Sequence, residues 1–141
     1  MHFISQALED YLAEHHQPES PLLAELNRQT HLKILQPRML SGPLQGRYLS
    51  MLSKMLRPQN ILEIGTYTGY SALCLAEGLR ENGELHTLEI NDELETFTRS
   101  YFDRSPHAQQ IHLHIGDALE LIPKLNKSWD LVFIDADKPH Y

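Results

Sequence analysis

Four short apolar runs, at residues 60–64, 85–90, 111–115 and 131–134, are separated by stretches with helical spacing. This alternation leaves a chain few options. Parallel neighbours in a sheet need a long crossover, and a helix supplies it, so the pattern predicts right-handed βαβ units in an α/β fold. The first third reads differently, as helix only. At 141 residues the chain is read as one domain, with a helical segment at 1–57 and a sheet-forming half at 58–141.

Within the helical segment, Phe3, Ile4, Ala7, Leu8, Tyr11 and Leu12 predict a helix with one buried face over residues 3–12. Ser20-Pro21 reads as the cap and first residue of a second helix running through Leu22, Leu23 and Leu26. Residues 36–43 form a loop. A third helix is expected from Pro43 to about Leu56, burying Leu44, Tyr48, Leu52 and Met55, with Pro58 marking its end. Farther on, Asn91 caps a helix whose Leu94, Phe97, Thr98 and Tyr101 share a face. Asp117 caps a shorter one that Pro123 helps to close.

The chemistry concentrates where the first apolar run ends. Ile61-Leu62-Glu63-Ile64-Gly65-Thr66-Tyr67-Thr68-Gly69-Tyr70-Ser71 reads as strand, tight turn and helix start, the place where an open α/β sheet presents backbone to a ligand. A dinucleotide loop wants G-x-G-x-x-G, so that backbone closes on a pyrophosphate. Here the middle position is Tyr67, whose side chain crowds that approach. The loop suits a ligand without a pyrophosphate, and S-adenosylmethionine is the candidate.

Ligands of such sheets sit beyond the C-terminal ends of the strands. The second strand ends at Glu89, an acid able to accept hydrogen bonds from two ribose hydroxyls, which NAD and S-adenosylmethionine both carry. The third ends at Gly116-Asp117-Ala118, where Asp117 reads either as a helix cap alone or as a cap that also borders an adenine. After the fourth comes Asp135-Ala136-Asp137-Lys138. Carboxylates so close to a buried strand are costly without partners, and a hard divalent cation such as Mg²⁺ would be one.

Composition narrows the partners. A net charge of −7 disfavours a broad nucleic-acid surface. No apolar run approaches a membrane span, the N-terminus lacks signal-peptide character, and the single Cys74 builds no disulfide framework; a cytoplasmic protein is expected. His112-Leu113-His114 puts two imidazoles on one strand face. Metal ligation there needs a third donor that the motif does not contain, so a solvated face is the reading.

The run Leu131-Val132-Phe133-Ile134 is apolar throughout, which suits a central strand covered on both faces. The sequence continues for only seven residues after Ile134, leaving this strand a bare edge. The expectation is that the chain is the N-terminal part of a longer protein, without its C-terminal strands, or that a partner covers the edge.

Together, Glu63 to Ser71, Gly116-Asp117-Ala118 and Phe133-Ile134-Asp135-Ala136-Asp137-Lys138 resemble the cation-dependent class I O-methyltransferases of the catechol and caffeoyl-CoA type. Met39-Leu40-Ser41-Gly42-Pro43-Leu44-Gln45-Gly46 is similar to the segment preceding the nucleotide loop in that family. The resemblance implies a Rossmann-like sheet of strand order 3-2-1-4 in this portion. It implies that Glu63, Gly65, Thr66, Tyr67 and Gly69 lie against the methionine part of S-adenosylmethionine, with Ser71 at the helix start. Met39 and Gln45 would border the same end, Glu89 would hold the ribose, and Asp117-Ala118 would flank the adenine. Asp135 matches the first metal-ligand aspartate and also borders the cofactor. Lys138 matches the general base of the catechol branch, and a homodimer involving the N-terminal helices is implied.

That set implies methyl transfer to a hydroxyl of a small phenolic substrate. A phenol titrates near ~10, so Mg²⁺ and Lys138 would promote the phenolate. The family completes its metal site with an Asp-Asn pair beyond the position of Tyr141, so the 141-residue chain alone is expected to have weak or no activity. The alternatives are an RNA hydroxyl as acceptor, or a fragment that binds S-adenosylmethionine without catalysis.

Overall fold

The computed structural model describes residues 4–136. Four parallel strands, β1 (Asn60–Ile64), β2 (Glu84–Glu89), β3 (Ile111–Ile115) and β4 (Leu131–Ile134), form one sheet of order β3-β2-β1-β4. The parallel sheet is the one expected from the alternating pattern, and its order is the Rossmann-like one that the resemblance implies. The helices are α1 (Gln6–His15), α2 (Pro21–Lys33), α3 (Gly42–Leu56), α4 (Tyr70–Ala76), α5 (Glu95–Phe102) and α6 (Ala118–Leu125). Among the described residues, no helix is long and apolar enough to cross a membrane.

Register explains the core. Ile61 pairs with Leu85 and Leu131, and Leu85 pairs with Ile111, so one row of side chains points to one face of the sheet. That face carries the main cluster, with Leu23 and Leu26 of α2, Leu49 of α3, Tyr70 and Ala72 to Ala76 of α4, and Tyr101 and Phe102 at the end of α5. Burying each large aliphatic side chain there contributes roughly 1.5–3 kcal/mol. Asp130 pins the start of the sheet: its Oδ2 accepts from the backbone N–H groups of Gln59 and Asn60, at 2.8 and 2.9 Å.

The caps lie where local chemistry puts them. Ser20 Oγ accepts from Leu23 N, and Asp117 Oδ1 accepts from Leu119 N. Asn91 Oδ1 accepts from Glu93 N, capping a 3₁₀ turn (Asp92–Leu94) that leads into α5. Pro123 does not close α6. It lies inside the helix, which runs on to Leu125 and stops where Asn126 turns left-handed at φ 46°.

Three faces differ from the sequence reading. Among the described residues the stripe of α1 is not buried: Ile4, Leu8 and Tyr11 are exposed and the helix has no buried residue, while Phe3 lies outside the described residues. In α3 the inward face is the opposite one, made by Gly46, Leu49, Ser50 and Ser53. Leu44, Tyr48 and Met55 point outward. The reason is close helix contact: a Cβ on Gly46 would stand 2.5 Å from Tyr70 Cε1 and 2.8 Å from Cys74 Sγ. Only small residues admit α4 at that distance. Finally, β4 is covered on one face only; Leu131 and Phe133 pack on the core, whereas Val132 and Ile134 are about half exposed.

Candidate cofactor site

The loop between β1 and α4 is held from β2. Gly65 N and Thr66 N both donate to Leu88 O, at 2.9 and 3.1 Å, which draws the turn over the end of the neighbouring strand. Gly65 and Gly69 have φ of 99° and 92°, a region that L side chains adopt with strain. Tyr67 also has positive φ, 52°, and three bonds hold it there. Its N–H donates to Glu89 Oε2 at 2.7 Å, its carbonyl accepts from Thr98 Oγ1 at 3.1 Å, and its hydroxyl donates to Gln36 O at 2.7 Å.

Glu89 is thus fixed from two sides, since Asn91 N donates to its other carboxylate oxygen at 3.0 Å. A carboxylate has about four lone-pair sites, and these two N–H groups take two of them. Two acceptor sites remain, the number a ribose diol needs. Gly116 N donates to Glu89 O at 2.8 Å, so the end of β3 sits beside the same acid. Asp117 is exposed there, its carboxylate capping α6, and Ala118 is half-buried. Two exposed apolar side chains not singled out in the sequence, Ile90 and Leu119, flank this edge. Each follows a recognisable acid or cap by one or two residues, which is the signal that would have found them.

Asp135 closes the other side. Its N–H donates to Ile64 O at 2.9 Å, and a Cβ on Gly65 would come 2.5 Å from its carbonyl oxygen. Its side chain belongs to an exposed residue. The described residues therefore place one carboxylate at the end of β4, whereas a Mg²⁺ ion takes ~six oxygens. Lys138, the expected base, lies outside the described residues, as does Asp137.

Glu63, Thr66 and Ser71 face inward. Glu63 is wholly buried; Ser71 Oγ and Thr87 Oγ1 donate to its two oxygens, each at 2.5 Å. Thr66 Oγ1 in turn meets Thr87 Oγ1. Burial pushes the Glu63 carboxyl up to about 7, against the two hydroxyl hydrogen bonds that lower it. The network anchors the loop from below. Thr87 was not picked out in the sequence, although it is a polar residue in register with Glu63 on the adjacent strand.

Met39 and Gln45 are exposed, in a 3₁₀ turn (Pro37–Met39) and the first turn of α3. The Tyr67–Gln36 bond links that segment to the glycine loop. Gly65, Tyr67, Glu89 and Asp135 thus gather at one end of the sheet, with Asp117 beside Glu89 and Met39 near the rim.

The profile of the family described as O-methyltransferase matches residues 13–141. A catechol O-methyltransferase of Niastella koreensis is 36% identical over 109 residues, covering 74% of this chain and 49% of the relative. Caffeoyl-CoA O-methyltransferase 2 of Petunia hybrida is 34% identical over 103 residues, covering 69% and 43%. Among solved structures, the SAH-bound methyltransferase PaMTH1 of Podospora anserina superposes with a TM-score of 0.88 at 28% identity, covering 100% of this chain and 62% of that one. The chain spans about half the length of the curated relatives it matches.

Proposed function

Because this chain belongs to the O-methyltransferase family, we propose that it forms the cofactor half of an enzyme that methylates a hydroxyl of a small catechol-like phenol. One observation carries the cofactor reading. Glu89 is fixed by Tyr67 N and Asn91 N with two acceptor sites to spare, at the strand end where ribose hydroxyls would lie. The same bond occupies the Tyr67 N–H, so this part of the loop has no free donor for a pyrophosphate. S-adenosylmethionine needs none.

In this reading Gly65 and Tyr67 would hold the sulfonium end, and Ile90, Asp117-Ala118 and Leu119 would hold the adenine. Met39 and Gln45 border the sulfonium end from the rim. S-adenosylmethionine, held by Glu89, Gly65 and Tyr67, would supply its methyl group to the acceptor oxygen and leave as S-adenosylhomocysteine. The hydroxyl proton passes to a base, the role proposed for Lys138. Asp135 would supply one oxygen ligand to a divalent cation, whose chemistry is to lower the pKa of the bound hydroxyl. Alignment for in-line displacement supplies much of the rate.

The homodimer is supported by the outward stripe of α3. Leu44, Tyr48, Met51 and Met55 make an exposed apolar row, the kind of surface that a second copy covers.

Calorimetric titration of the chain with S-adenosylhomocysteine and, separately, with NADH tests the cofactor reading. Saturable binding of the first alone is expected. Binding of NADH in preference would overturn it.

A further inference from the structure

One of the two strand histidines, His112, meets two further donors on the neighbouring strand. His112 of β3 stands in register with His86 of β2, and Glu84 lies two residues before His86 on the same face. One ligand atom from each of Glu84, His86 and His112 lies within 4.8 Å of the other two. Donors around a tetrahedral Zn²⁺ at ~2.0–2.1 Å are about 3.3–3.5 Å apart, so modest side-chain rotations complete the approach.

We propose that Glu84, His86 and His112 bind a borderline divalent cation of the Zn²⁺ and Ni²⁺ class, at the end of the sheet opposite Glu89. Two imidazoles and one carboxylate are the donor set such ions prefer, whereas Mg²⁺ favours oxygen alone. The site is separate from the cofactor edge, because His86 precedes Glu89 by three residues, about 10 Å along the strand.

The surroundings fit a ligand set. His86 is 7% exposed, and its ring is stacked against those of His112 and His114, with centroids 4.8 and 5.2 Å away. His86 Nδ1 is 2.9 Å from His114 Nε2. With a metal on His86 Nε2, Nδ1 carries the proton and donates to His114, the outer hydrogen bond that orients a ligating imidazole. Without one, Nε2–H donates to Glu84 Oε2 at 3.1 Å. Lys127 Nζ also donates to Glu84 Oε2, at 2.5 Å, and is the cation that an incoming ion must displace or share with. A bound ion ties the edge strand β3 to β2.

The chain carries its own reporter. Trp129 is the single tryptophan, and its ring centroid is 5.6 Å from that of His86. Tag-free chain is titrated with Zn²⁺ by calorimetry, and with Ni²⁺ while Trp129 fluorescence is followed. One equivalent is expected to bind, with quenching by Ni²⁺ that Zn²⁺ reverses. His112→Gln and Glu84→Gln should each weaken binding by at least roughly tenfold, and Lys127→Met should tighten it by roughly tenfold. The double variant His15→Gln/His16→Gln controls for the other histidine pair and should bind as the parent does. No saturable binding by the parent, or undiminished binding in folded His112→Gln and Glu84→Gln, would overturn the proposal.

Discussion

A Cβ on Gly65 would stand 2.5 Å from the carbonyl oxygen of Asp135 and 2.8 Å from its carbonyl carbon. Glycine at this position therefore sets how closely the cofactor loop approaches the end of β4. Gly65→Ala adds both that collision and a strained φ of 99°, for an expected loss of about 1–3 kcal/mol. Urea unfolding measures the loss. Titration of the same variant should show weaker S-adenosylhomocysteine binding, because the loop is pushed from its seat. An alanine variant matching the parent in both would contradict the close approach.

Glu89→Ala removes the acceptor of the Tyr67 and Asn91 N–H groups together with the proposed ribose ligand. Binding of S-adenosylhomocysteine should weaken by about 10- to 100-fold. Glu89→Gln keeps one acceptor oxygen and should fall between the two. Calorimetry at one pH and salt ranks the three; equal affinities would remove Glu89 from the site.

Glu63 makes stability depend on pH. Its carboxyl titrates near 7 in the fold, chiefly through burial, and near its ordinary 4.5 when exposed. Between those values folding takes up a proton, so the contribution is full below about 4.5 and is lost as pH rises through about 7. Glu63→Gln lacks this proton, so the urea midpoint should fall less than the parent's between pH 5 and pH 8. Parallel curves for the two chains would place the buried charge elsewhere.

The α3 stripe predicts self-association. Tyr48→Glu with Met51→Glu puts two charges on an exposed face, leaving the inward residues Gly46, Leu49, Ser50 and Ser53 untouched. Sedimentation should show the parent as a dimer and the double variant as a folded monomer whose melting temperature no longer rises with protein concentration. A monomeric parent would end the dimer proposal.

Acid should loosen the junction of α3 and α4. Partial burial of Glu77 works to raise its carboxyl, but hydrogen bonds from Arg47, Lys54 and Ser50 outweigh it and hold the group at about 2. The stabilisation is present above the ordinary value of 4.5 and is lost as pH falls through about 2. Glu77→Gln should flatten the decline of thermal stability over that acid range.

Much of this molecule could be read from short stretches of its sequence. The strand bounds, the glycine loop and the caps at Ser20, Asn91 and Asp117 rest on periodicity and on hydrogen bonds spanning two or three residues, so neighbouring residues specify them. Hydropathy misled where distance between elements mattered. The larger apolar side chains of α3 turn outward because Gly46 must admit Tyr70, a residue on a different helix. Glu63 meets Thr87, Tyr67 meets Gln36, and His86 meets His112 only through strand register and packing across 24, 31 and 26 residues of chain. No local pattern encodes those partners, since side-chain neighbours across a sheet depend on how separate segments align, and that alignment is a property of the folded whole.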